Sequence, residues 1–117
     1  MEEKVLVISG NQIRMIENNA YRDQDMQHLI ISAKVSGIGI YAFKGCSSLH
    51  TVELPDGLEI IRVEAFARCT SLKTINIPDS VKEIEMGAFH YCKSLETIRF
   101  PDAVVSGCLQ RCTSLTS

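Results

Sequence analysis

The sequence predicts one α/β-type repeat solenoid. Its concave side carries about five short parallel strands and its convex side carries short helical or 3₁₀ turns, in a right-handed curved coil. Three observations predict this. A phrase is written three times at a step of 23 residues: AFKGCSSLHTVELP at 42–55, AFARCTSLKTINIP at 65–78 and AFHYCKSLETIRFP at 88–101. Within each copy the apolar residues keep the spacing Leu-x-x-Leu-x-Leu, as in Leu72-x-x-Ile75-x-Ile77. Each copy is too short to bury an apolar face alone, so each column must be covered by its own image one layer up and one layer down.

The elements follow in chain order. Leu6 and Ile8 read as a degenerate copy of Val52 and Leu54, which puts the first strand near 5–8. Met26, Leu29, Ile31, Val35 and Ile38 match Leu49, Val52, Leu54, Leu58 and Ile61 at the same step, and the second strand falls near 28–31. Ala20-Tyr21 stands where later copies have Ala-Phe, one residue short. Further strands are expected near 51–54, 74–77 and 97–100. In the last, truncated copy, SGCLQRCTSL echoes MGAFHYCKSL after a three-residue deletion. The whole of 1–117 reads as a single leucine-rich repeat domain.

Within a copy, Thr74-Ile75-Asn76-Ile77 alternates polar and apolar, which suits a half-buried strand with the isoleucines inward. Pro78 lacks an N–H and helps end the ladder, and Asp79-Ser80 continues the turn. Ala88, Phe89 and Cys92 have helical-turn spacing, so 87–91 is expected to be a short helix or 3₁₀ turn with Phe89 beneath the strand. Three columns should form the structural core: Phe43, Phe66 and Phe89; Cys46, Cys69 and Cys92; Leu49, Leu72 and Leu95. Gly37-Ile38-Gly39 reads as a loop.

The combined pattern AFxxCxSLxTIxIPxxVxxI resembles the BspA-type leucine-rich repeat of bacterial surface proteins, strongly over 26–101 and weakly at both ends. The resemblance implies a non-enzymatic binding role, often adhesion to host or matrix proteins, with no catalytic residues to carry over. It also implies a cell-surface or secreted location. The N-terminal MEEKVLVISG lacks the basic start and longer apolar run of a signal peptide, and it implies a cytoplasmic protein if residue 1 is the true start. The second functional reading is an intracellular scaffold that self-associates through open solenoid ends.

Composition narrows the function. The net charge is −2 and the lysines and arginines never form a run, which argues against a nucleic-acid groove. No apolar stretch is long enough for a spanning helix, so membrane insertion is not expected. No nucleophile elbow, phosphate loop or Ser-His-Asp arrangement appears, so neither an enzyme nor a cofactor is expected.

The five cysteines are Cys46, Cys69, Cys92, Cys108 and Cys112. Four fall in the repeat's own cysteine column, where a small, close-packing residue suits a solenoid interior. Adjacent layers lie roughly 5 Å apart, inside the Cα range for bridging, but parallel side chains argue against disulfides. Cys108 and Cys112 share a face without a second pair, so no metal site is expected. His28, His50 and His90 occupy different repeat positions and should be surface residues that nothing brings together.

The remaining candidate is the concave face. One outward column reads Val5, His28, Thr51, Thr74 and Thr97, and the next reads Val7, Ile30, Glu53, Asn76 and Arg99. Val5, Val7 and Ile30 make an apolar corner, and exposed apolar clusters mark contact sites. The expected partner is a protein or a glycan. At the other end, the strand at 97–100 should form an open edge with Phe100 and Leu109 partly covered. That edge would pair as a homodimer or continue into a longer array.

Overall fold

The computed structural model describes residues 3–101. The chain coils through about four turns, and each turn contributes strands to two parallel sheets. The concave sheet is β1 (Val5–Ile8), β3 (His28–Ile31), β5 (Thr51–Glu53), β7 (Thr74–Asn76) and β9 (Thr97–Arg99), side by side in that order. The second sheet is β2 (Met15–Ile16), β4 (Gly37–Ile38), β6 (Ile60–Ile61) and β8 (Glu83–Ile84). The register is uniform: Val5 pairs with His28, His28 with Thr51, Thr51 with Thr74 and Thr74 with Thr97. The last three concave strands close one residue earlier than expected. In β5 and β7 the next residue but one is Pro55 or Pro78, which has no N–H to offer a neighbour.

The second sheet corrects the reading of Gly37-Ile38-Gly39 as a loop. Ile38 pairs with Ile16 and Ile61, and Ile61 with Ile84. Gly39, just after the strand, suits its position sterically, because a Cβ there would come within 2.6 Å of the Ile16 carbonyl oxygen.

The convex turns are not helical, and no helix occurs among the described residues. Their N–H groups alternate between two kinds of partner. Ala65, Ala67 and Cys69 donate three residues back, to Arg62, Glu64 and Phe66. Glu64, Phe66 and Arg68 donate instead to Met86, Ala88 and His90 in the next layer, at 2.7–3.1 Å. Each turn also holds two residues in the left-handed region: Tyr41 (φ 60°) and Gly45 (81°), Glu64 (51°) and Arg68 (62°), Gly87 (70°) and Tyr91 (60°). A helix allows neither the alternation nor the positive φ values. The turns thus form a third hydrogen-bonded ladder along the convex edge.

The core consists of columns, and among the described residues it buries no polar or charged side chain. Tyr21, Phe43, Phe66 and Phe89 stack with ring centroids 5.3, 5.3 and 5.7 Å apart and planes within 7° of parallel. Phe100 meets Phe89 edge-on at 6.4 Å and is partly buried. Leu49 and Leu72 are fully buried, while Leu95 is only partly so. Cys46, Cys69 and Cys92 are buried free thiols. Each S–H donates to a carbonyl one layer back: Cys46 to Tyr21, Cys69 to Phe43 and Cys92 to Phe66, at 3.1–3.3 Å. Burial pushes the Cys46 thiol up to about 11 and the Cys92 thiol up to about 12. Cys69 is also raised, first by burial and then by the neighbouring thiols. Cys108, Cys112, Leu109 and the C-terminal edge beyond 101 lie outside the described residues.

Candidate binding surface

Strand alternation separates two sets of side chains on the concave sheet. Leu29, Val52 and Ile75 point into the core, and their neighbours point out. On the outer side Thr51, Glu53, Thr74, Asn76 and Arg99 are exposed, while His28 and Ile30 are partly covered. The Thr97 side chain lies outside the described residues. The strip has two characters. Val5 and Val7 are 52% and 54% exposed, and Val7 stands opposite Ile30 while Val5 stands opposite His28. Beyond them the strip is polar and of mixed charge.

The polar part is partly organised. The His28 ring is hydrogen-bonded through Nδ1 to Thr51 Oγ1 at 2.7 Å and through Nε2 to Glu3 Oε2 at 2.8 Å. It also lies 6.4 Å from the His50 ring. This corrects the expectation that nothing brings the histidines together. His50 aligns with Gln27, the residue before His28, and its N–H donates to the Gln27 carbonyl. One residue of offset along adjacent strands leaves the rings within reach. His90 stays apart, packed on Tyr91 at 4.1 Å. Arg99 pairs with Asp79 at 3.1 Å, but both are mostly exposed, so solvent screens the pair and it contributes little rigidity.

The convex turns carry a feature that the repeat pattern did not announce. The Lys44 ammonium lies 4.6 Å from the Tyr41 ring centroid and 2.8 Å from Glu64, and Arg22 approaches the same ring at 5.2 Å. Arg68 sits over Tyr91 at 4.9 Å. Tyr41, Arg68 and Tyr91 all hold positive φ, and the Tyr41 and Arg68 N–H groups donate to Val63 and His90 in the next layer. The available signal was local: aromatic and basic residues stand beside the Ala-Phe and cysteine columns. At the N-terminal end of the coil, an open depression of about 510 Å³ is bounded by Ile8, Ile13, Met15, Ile16 and Tyr21. It is broad and mostly apolar, and Gln12, Arg14 and Glu17 also line it. Among the described residues no group of histidine, cysteine and carboxylate side chains could hold a metal, and no helix is long and apolar enough to cross a membrane.

Comparison with known proteins agrees with this architecture. The family described as the BspA type leucine rich repeat region matches residues 14–117 in six copies. A leucine-rich repeat protein of T. pallidum is 30% identical, with a TM-score of 0.65 over 85% of this chain and 59% of that one. This chain therefore spans 59% of the T. pallidum protein. A leucine-rich repeat protein of Bacteroides capillosus is 28% identical, with a TM-score of 0.71 over 81% of this chain and 73% of that one. A leucine rich cell surface protein of Faecalibacterium prausnitzii shares the fold at 24% identity and a TM-score of 0.63, covering 94% of this chain and 34% of that one. No curated protein matches the chain.

Proposed function

Because the chain belongs to the BspA-type leucine-rich repeat family, whose repeats serve as protein-interaction modules, we propose that it recognises a protein or a glycan on its concave strip. Repeats of this kind are in general non-catalytic, and the proposal assigns no reaction. One observation carries it. The outward columns of the concave sheet sit in a uniform register on a core that, among the described residues, buries no polar side chain. Such a scaffold holds Thr51, Glu53, Thr74 and Asn76 at fixed spacing, and recognition residues work best on rigid elements. The finer reading, adhesion to a host or matrix protein, draws on the binding role that the family implies and on the apolar corner of Val5, Val7 and Ile30.

Magnitude limits what one strip does. Five strands about 4.8 Å apart give a strip roughly 24 Å long. That offers a few hundred Å², less than the ~800 Å² per partner of a standard interface. A single chain binds weakly through this face, and tight attachment needs several strips acting together. The test is binding of the purified chain to an array of matrix proteins and glycans, repeated with Glu53→Lys/Asn76→Ala. A loss of at least about tenfold on the array, with unchanged thermal unfolding, is expected. Binding that ignores this variant but fails in Tyr41→Ala would move the site to the convex turns.

A further inference from the structure

Among the described residues β1 has a neighbour on one side only. The orientation of its backbone follows from two bonds: His28 N–H donates to the Lys4 carbonyl and Ser32 N–H to the Ile8 carbonyl. Alternate residues of a parallel ladder turn opposite ways. Lys4, Leu6 and Ile8 therefore face β3, and Val5 and Val7 aim their N–H and C=O groups at the open edge. The same two residues carry the exposed apolar side chains. Exposed edges are normally blunted by a charge, a proline or a bulge. Here the segment is Val-Leu-Val-Ile with none of these inside it.

We propose that β1 pairs antiparallel with β1 of a second copy of this chain, about a two-fold axis through Leu6. The self-complementarity of the edge selects this occupant and this register. With Leu6 on the axis, Val5 of one copy lies opposite Val7 of the other, twice. Both residues of each pair present outward backbone groups, so each pair exchanges both of its hydrogen bonds. Each pair also buries valine against valine on the concave side. Lys4 falls opposite Ile8 and Glu3 opposite Ser9, so no like charges meet. A register centred on Val5 would instead set Glu3 against Val7, and one centred on Val7 would leave Val5 against Ser9.

The contact is confined to the strand edge. In later layers Ala42 and Lys44 use their carbonyls to accept N–H groups from Tyr21 and Asp23 in the preceding turn. By the same alignment the equivalent carbonyls of the first turn, those of Ala20 and Arg22, would point out of the N-terminal end. Two copies closing fully there would set carbonyl against carbonyl, so the turns stay apart and hydrated. The axis runs perpendicular to the sheet, so both concave strips face the same way and join into one strip roughly 48 Å long.

The experiment is sedimentation equilibrium of the 117-residue chain from about 10 μM to 1 mM, with amide exchange followed at both extremes. The expected mass climbs from 13.0 kDa toward twice that value, with Val5 and Val7 amides protected only at high concentration. Val5→Lys/Val7→Lys, at two exposed positions, should leave the circular dichroism unchanged and hold the mass at that of the monomer. A monomer at every concentration overturns the proposal. So does a dimer that survives the double substitution, which would place association on another face. Protection of Val5 and Val7 that does not change with concentration also overturns it, and would assign the edge to another segment of the same chain.

Discussion

Removing the central ring of the aromatic column tests the core directly. Phe66 is fully buried, stacked between Phe43 at 5.3 Å and Phe89 at 5.7 Å. In Phe66→Ala the lost transfer energy and the cavity together cost about 3–5 kcal/mol. The upper half of that range applies, for two reasons. Two near-parallel ring contacts are lost, each worth about 0.5–1.5 kcal/mol beyond area. The gap also cannot collapse easily, because the Phe66 N–H is bonded to Ala88 and its carbonyl accepts the Cys92 S–H. A domain of this size has a total stability of about 5–15 kcal/mol, so the variant sits near its folding threshold. Urea denaturation followed by circular dichroism measures the loss, and the slope of the transition reports whether the layers still unfold together. A destabilisation under about 1 kcal/mol, with the slope unchanged, would refute the stacked-column account.

The buried cysteines should be inert in native buffer: a thiol-exchange reagent should modify Cys46, Cys69 and Cys92 only after denaturant is added, and modification within minutes without it would contradict their burial. Their folded pKa values are raised above the ordinary value of 9.0, so the stability they contribute is complete below pH 9 and is lost as pH rises towards about 11 and beyond. Urea midpoints between pH 7 and 11 should show that decline, and a flat profile would contradict it. Gly45→Ala should destabilise by about 1–2 kcal/mol, because φ is 81° there and the new Cβ would collide with the Asp23 carboxylate. Arg68→Gly, which occupies the same column at φ 62°, should raise the melting temperature despite losing its contact with Tyr91; a fall in both variants would show that the turn strain has been misread.

The parts of this fold that were legible in the sequence are those where one layer repeats the next. Phe43, Phe66 and Phe89 keep step at 23 residues, and so do the cysteines, because each must touch its own image. Strand parity at Thr74-Ile75-Asn76 was legible for the same reason. The second sheet was not, although Ile38, Ile61 and Ile84 share the step. Its strands are two residues long, too short to show alternation. The turns were misread because Ala88, Phe89 and Cys92 fit a helical turn and a layered turn equally well. The deciding quantity is where the alternate N–H groups go, and that depends on the neighbouring layer rather than on local spacing. The outward columns were legible as positions, but the His28–His50 proximity was hidden by the one-residue offset between the two.

The constant register has a kinetic consequence. Every pair in the concave sheet joins residues 23 apart, from Val5 with His28 to Arg99 with Asn76, and the pairs of the second sheet join residues 22 or 23 apart. Closing a loop of that length costs about 3 kcal/mol in chain entropy, beyond a constant. The cost is the same at each step, since no pairing waits for the distant end of the chain. Folding can therefore begin at whichever pair of layers is locally most stable and spread outward as a zipper. The pair containing Phe43 and Phe66, with the full Ala, Phe, Cys and Leu set on both sides, is the natural starting point, and the degenerate first layer should be the last to close and the first to open.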